Sequence, residues 1–171
     1  MKFNLTIQSL LQAKHDTQNF GFDRIISITD PGQEKPDLSH HNPKEIMRLD
    51  FHDITTSTPG ADLFMGGHIK RIMDFQKRIQ DNEKIMIHCH AGISRSSAVG
   101  IALIVASDPK KEEVETKSFN LLQKINPIMD PNKRIIEITD TAFRLEGRLI
   151  SALAEFKNAD EGHYLDPNDY L

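Results

Sequence analysis

The chain carries one cysteine, Cys89, and six positions after it an arginine, Arg95, followed at once by Ser96. They fall in the stretch Ile85 to Ala98, IMIHCHAGISRSSA. Lys84 to His88, apolar at 85 to 87, suits a short buried strand. Ser94 to Ala106, SRSSAVGIALIVA, is apolar almost all round and suits a helix in the centre of a domain. A tight loop from such a strand into such a helix turns successive backbone N–H groups into one concavity, with the positive end of the helix dipole behind it. A cup of this kind binds an anion the size of phosphate. His90, Ala91, Gly92, Ile93 and Ser94 would line it, and Gly92 can take φ > 0 and let the chain curl. Arg95 adds a planar fork that holds two phosphate oxygens at once. Cys89 sits at the base, where the same N–H groups and helix end favour its thiolate. A thiolate beneath a bound phosphate is a nucleophile aimed at phosphorus. Ser96 is placed to hydrogen-bond the sulfur and help it leave in a second step, and His88 to brace the nucleophile.

Two plainer readings compete with this one. The cysteine could be an inert core residue beside a helix-start arginine. His88, Cys89 and His90 could be metal ligands, but alternate strand residues point to opposite faces and no second cysteine exists, so no metal site is expected.

HCHAGISRSSA resembles the signature of the cysteine-dependent protein phosphatases: His-Cys, five residues, Arg, then Ser or Thr. Its Ala-Gly-x-Ser-Arg-Ser form resembles the dual-specificity branch. Tyrosine-specific members usually carry Gly-Arg-Thr-Gly at that place, and this chain does not. Ile25 to Asp30, the strand leading to Asp53, and Pro131-Asn132 before a helix also fall in the order such phosphatases have. The likeness covers roughly residues 20 to 157, and in particular the chain looks like a small bacterial group of predicted tyrosine phosphatases. It implies an α/β fold of the phosphotyrosine protein phosphatase type, with a central, mainly parallel sheet flanked by helices on both faces. It implies phosphomonoester hydrolysis through a phosphocysteine, on a phosphorylated protein substrate, with no cofactor. It also implies a general acid, an aspartate on a loop some thirty to forty residues before the cysteine. Asp50 and Asp53 stand 39 and 36 positions upstream. Asp50 lies inside a strand-like run, whereas Asp53 lies where the strand opens into a loop, so Asp53 is the expected acid. There is no tryptophan, hence no Trp-Pro-Asp loop.

A chain of 171 residues suits one domain with a substantial core. One cysteine excludes an internal disulfide and suits a reducing, cytoplasmic compartment. No run approaches the roughly 20 apolar residues that span a bilayer, and the first residues make a poor secretory signal, so no membrane anchor is expected. The net charge is −4, and residues 158 to 171 hold four acids and no Lys or Arg, which accounts for all of it. No basic stripe points to nucleic acid. The expected organisation is a phosphatase domain over residues 1–157 and an acidic tail over 158–171. That tail holds both tyrosines of the chain, Tyr164 and Tyr170, each within two residues of an acid.

The remaining elements follow from periodicity. Ile7, Leu10 and Leu11 share a helical face and predict a first helix over Thr6 to Lys14. Phe22 to Thr29 and Glu45 to Phe51 read as strands, joined by a proline-rich surface loop, residues 31–44, that carries His40 and His41. Ala61 to Gln80, Lys110 to Ile125 and a last segment to about Phe156 read as helices. Asp130-Pro131 looks like the cap and first position of the last one, and Gly147 like a bend in it. Strand, helix, strand demands a parallel sheet.

Three other functions fit parts of the pattern. A catalytically dead phosphopeptide-binding relative would lack the cysteine, the arginine or the acid, and none is missing. A phosphoinositide phosphatase usually has lysines between cysteine and arginine, and the five residues here include none. A sulfur carrier of the rhodanese type would explain the cysteine loop but not the arginine-serine step.

Overall fold

The computed structural model describes residues 2–15 and 21–161. Tyr164, Tyr170 and the rest of the acidic tail beyond Glu161 lie outside the described residues. Four parallel strands form one sheet: β1 (Asn4–Ser9), β2 (Arg24–Thr29), β3 (Glu45–Asp50) and β4 (Lys84–Cys89), in the order β1-β4-β2-β3. β4 is central, paired with β1 on one side and β2 on the other. Its IMIHC run is buried on both faces, as a parallel strand's must be.

Side chains alternate across the sheet. Ile85, Ile87 and Cys89 face the main core with Ile26, Ile28 and Leu49. That face is covered by α2 (Gly66–Gln76), α3 (Arg95–Ser107), α4 (Val114–Ile125), α5 (Lys133–Phe143) and α6 (Arg148–Glu161). α3 is buried from Arg95 to Val105, which is why its sequence has no polar face. The other face carries a smaller cluster of Ala13, Phe22, Ile25, Leu38 and Met86, supplied by α1 (Leu10–His15) and the loop after β2. No helix among the described residues is long and apolar enough to cross a membrane.

Three expectations need correction. Asn4–Ser9 is a strand in register with β4, and helix begins only at Leu10. Leu5 and Ile7 alternate as a strand requires, but the partner that makes them a strand is about eighty residues away. The last helix is broken rather than bent. Arg144, Glu146 and Gly147 all have φ > 0, and the buried Asp140 carboxylate accepts from the Gly147 and Leu149 N–H groups to start α6. His41 is not a solvated loop residue. It is 1% exposed, its Nε2 lies 2.9 Å from the Ala13 carbonyl, and it meets the Phe22 ring edge-on, tying the loop to α1.

Candidate active site

At the C-terminal end of β4 the chain leaves the sheet as the loop 89–94 and enters α3. Four carbonyls of that loop are taken from outside. The Leu10 N–H donates to His90 O (3.0 Å), the Asn126 side-chain amide to Gly92 O (2.8 Å), the Asp130 N–H to Ile93 O (3.2 Å) and the Asn132 N–H to Ser94 O (3.4 Å). In a trans peptide C=O and N–H point in opposite directions. Anchoring these carbonyls outward therefore turns the N–H groups of Ala91, Ile93, Ser94 and Arg95 inward. The fold thus builds, from backbone alone, a cup of a kind that can hold an anion.

Cys89, 2% exposed, lies at the base. Its Sγ accepts from the Gly92 N–H (3.3 Å) and is 3.2 Å from the Ser96 hydroxyl. Gly92 has φ +79°, and a Cβ there would meet the Ser9 nitrogen at 2.7 Å and the Gln8 carbonyl carbon at 2.8 Å. Glycine is needed twice over: for the turn, and for the close approach of the loop to the end of β1.

Arg95 is 4% exposed and held along one edge. Nη1 donates to Asp30 Oδ1 (2.5 Å) and to the Phe51 carbonyl (2.8 Å). Its Nε is buried without a hydrogen-bond partner, 3.8 Å from Asp53 Oδ2. The guanidinium is thus fixed by one nitrogen while another is left to donate to a ligand.

Asp53, partly exposed, follows β3. Its Oδ1 accepts from Ser94 Oγ (2.8 Å) and from the Asn132 amide (2.7 Å). Ser94 stands at the N-cap position of α3 but does not cap it; the hydroxyl goes to Asp53 instead. Asp50 faces elsewhere. It accepts from Thr29 Oγ1 (2.9 Å) and pairs with Lys35, on the sheet face opposite Cys89. Burial alone would raise the Asp50 carboxyl, but the Lys35 and Thr29 hydrogen bonds outweigh it and hold the group below the usual carboxylate range. His52 Nδ1 accepts from the Asp62 N–H, folding the loop that carries Asp53 back on itself.

His88 is fully buried on the smaller-core face, with Nδ1 3.4 Å from the Cys89 carbonyl and Nε2 2.9 Å from Ser27 Oγ. A carbonyl only accepts, so Nδ1 carries the proton and Nε2 accepts from Ser27. Burial pushes the imidazole down to about 4, with the nearby Arg48 and Arg95 cations acting in the same direction. The unfolded chain binds this proton from about pH 6.5 downward, whereas the folded chain refuses it until about pH 4. Stability should therefore fall as pH drops through that window, by on the order of 3 kcal/mol at most. Urea unfolding against pH checks this: His88→Asn should flatten the slope, and an unchanged slope would assign it to other groups.

The sequence-predicted site residues thus gather around the loop at the C-terminal end of the sheet; Asp50, the last residue of β3, is at that end too but is turned to the opposite face, toward Lys35. Sequence reasoning missed Asp30, the anchor of Arg95; Asn126, which holds Gly92; and Asn132, which holds Asp53 and caps α5 by accepting from the Ile135 N–H. Asp130, expected as that cap, instead binds the loop through its backbone. The signal for the asparagines was present as Asn126-Pro127 and Pro131-Asn132, but it reads as helix punctuation. Among the described residues no three His, Cys, Asp or Glu side chains gather as a metal-holding group. A cavity of about 260 Å³ opens at the other end of the sheet, between Phe3, Ile104 and Lys117, and carries none of this chemistry.

Residues 5–139 match the family model of the dual specificity phosphatase catalytic domain. The match begins in β1, earlier than the stretch whose sequence resembles that family by eye. "Putative tyrosine phosphatase 123R" of Invertebrate iridescent virus 6 is 29% identical over 120 residues, covering 70% of this chain and 73% of the viral one. Among solved structures, the human tyrosine phosphatase-like serine/threonine/tyrosine-interacting protein superposes with a TM-score of 0.62 at 19% identity, over 85% of this chain and 99% of that one. Human DUSP28 superposes with a TM-score of 0.58 at 14% identity, over 88% and 94%.

Proposed function

We propose that this chain, which belongs to the dual specificity phosphatase catalytic-domain family and is a phosphatase of that type, hydrolyses phosphomonoesters on phosphoproteins through a phosphocysteine. The observation that carries the reading is the cup itself: inward N–H groups, a half-anchored Arg95 and the Cys89 sulfur at the base. Phosphotyrosine is the favoured substrate, with phosphoserine and phosphothreonine possible in the same cup.

The steps follow from the geometry. The N–H groups and Arg95 bind the three phosphoryl oxygens and stabilise the charge spread over them in the transition state. Cys89 Sγ attacks phosphorus in line with the departing ester oxygen. Asp53 protonates that oxygen, then takes a proton from the water that attacks the phosphocysteine. Ser96 Oγ hydrogen-bonds the thiolate as it leaves. Asn132 and Ser94 hold Asp53 at the mouth, and His88 steadies the Cys89 carbonyl from below. No metal takes part in this scheme.

A panel of phosphotyrosyl and phosphoseryl peptides, phosphoinositides and nucleotides tests the substrate class. Highest kcat/KM on a phosphoinositide would move the assignment to lipids. Asp53→Asn should lower kcat by roughly 10²–10⁴ on a poor leaving group. The loss should shrink on an activated aryl phosphate, which needs the proton less. Asp50→Asn should do far less, and a reversed order of the two would move the acid to Asp50.

A further inference from the structure

Two surface features converge on the mouth of the cup. The first is apolar. Among the described residues, Leu11 and Ile128 are the most exposed large hydrophobic side chains, at 70% and 67%. Each is next to chain that grips the loop. Leu11 follows Leu10, whose N–H donates to His90 O, and Ile128 lies between Asn126 and Asp130, which hold Gly92 O and Ile93 O. Both thus belong to segments that hold the loop, with their side chains open to solvent.

The second is the course of α6. At its start, Arg148 pairs with Glu115 in the first turn of α4. Further along, Phe156 meets Phe119, with ring centroids 5.7 Å apart. Lys157 then reaches Asp130 at 2.7 Å, beyond the end of α4. α6 therefore runs beside α4 in the same direction and brings the chain to the loop end of the domain. Asp130 itself donates its N–H to the loop.

From here the sequence continues GHYLDPNDYL. It holds both tyrosines of the chain, and each is followed by a leucine: Tyr164-Leu165 and Tyr170-Leu171. Tyr170 is nine residues past Glu161, a reach of up to about 30 Å; Tyr164 is three past it, a reach of about 10 Å. The longer tether gives Tyr170 about three times the span of Tyr164 in which to fold back from α6 toward the cup.

We infer that Tyr170, once phosphorylated, is a substrate of its own chain, bound in cis with Leu171 against the apolar border formed by Leu11 and Ile128. The inference rests on the phosphatase reading above. A tyrosine kinase supplies the phosphoryl group from ATP. In the cup, the P–O bond to Tyr170 breaks as the S–P bond to Cys89 forms, and Asp53 gives its proton to the phenolate. Water then cleaves the S–P bond, releasing inorganic phosphate and returning a proton to Asp53. Tethering raises the local concentration of this phosphotyrosine into the millimolar range. While the kinase acts, the tail would occupy the cup and compete with other substrates.

The test uses the full chain as Tyr164→Phe, so that a tyrosine kinase can modify Tyr170 alone. The site is held closed with vanadate during labelling, and EDTA then strips the vanadate. Loss of tail phosphate should be first order, with a half-time unchanged over about a hundredfold dilution. The Tyr170→Phe chain, labelled on Tyr164, should keep its phosphate at least about tenfold longer. A half-time that lengthens in proportion to dilution overturns the cis assignment, and faster loss from Tyr164 overturns the choice of Tyr170. If tail phosphate persists while p-nitrophenyl phosphate is turned over normally, this inference fails and the phosphatase reading stands. If p-nitrophenyl phosphate is not turned over either, both fail.

Discussion

Cys89→Ser is expected to lower turnover of an aryl phosphate by roughly 10⁶-fold, the scale on which loss of a nucleophile is felt in a comparable covalent mechanism. A serine hydroxyl at the base of the cup has no neighbouring base to activate it. His88 lies below the loop with its proton directed at the Cys89 carbonyl, and Asp53 is held at the mouth by Ser94 and Asn132. The cup should survive, because its N–H groups are oriented by Leu10, Asn126, Asp130 and Asn132 and not by the sulfur. Phosphate or vanadate should therefore still bind, within about tenfold of the parent. Two measurements on one protein check this: turnover, and anion affinity by calorimetry or fluorescence. Retained hydrolysis would falsify the phosphocysteine route, and lost turnover with lost anion binding would mean that the thiol also holds the loop in shape.

Arg95→Lys should also be severe, and differently so. Arg95 uses Nη1 to anchor itself to Asp30 and to the Phe51 carbonyl, and keeps Nε for the ligand. A lysine has one nitrogen for both tasks. Drawn to Asp30, it abandons the phosphate; turned to the phosphate, it leaves a carboxylate and a buried carbonyl unpaired. Arginines that stabilise phosphoryl-transfer transition states are worth about 10³–10⁵ in rate, and a loss in that range is expected in kcat/KM. Unlike Cys89→Ser, this variant should also bind vanadate poorly. Normal anion binding with low turnover would show that Arg95 acts only in the transition state. Wild-type kinetics would remove it from the mechanism.

The strand, loop and helix around Cys89 could be read directly because their signals are local. IMIHC is apolar enough to be a central strand, SRSSAVGIALIVA can only be buried, and the loop residues lie between them in sequence. The preference for Asp53 over Asp50 also rests on local context, the strand opening into a loop; in the structure Asp53 bonds Ser94 and Asn132, and Asp50 bonds Thr29 and Lys35. What could not be read rests on partners distant in sequence. Leu5 and Ile7 suit a strand, but Ile7, Leu10 and Leu11 suit a helix equally well, and only pairing with β4 decides between them. Gly147 marks the break before α6 only as a bend; that Arg144 and Glu146 also take positive φ, with the buried Asp140 carboxylate holding the turn, has no local signal. Asp30, Asn126 and Asn132 have the composition of turns. Their second role, gripping Arg95, Gly92 and Asp53, appears only once segments 34 to 79 residues apart are brought together.

The contact of Gly92 with Ser9 and Gln8 makes the outer strand the back wall of the cup. β1 has a neighbour on one side only, and edge elements open locally at a lower free energy than the whole domain. Each such opening removes the surface against which the loop is curled, along with the Leu10 N–H that orients the His90 carbonyl. Catalytic competence is then governed by how often β1 detaches, not by the far tighter packing around α3. Mild urea or warming should silence the enzyme while most of its helix and sheet persist, and amide exchange in β1 should follow the same dependence as the loss of activity.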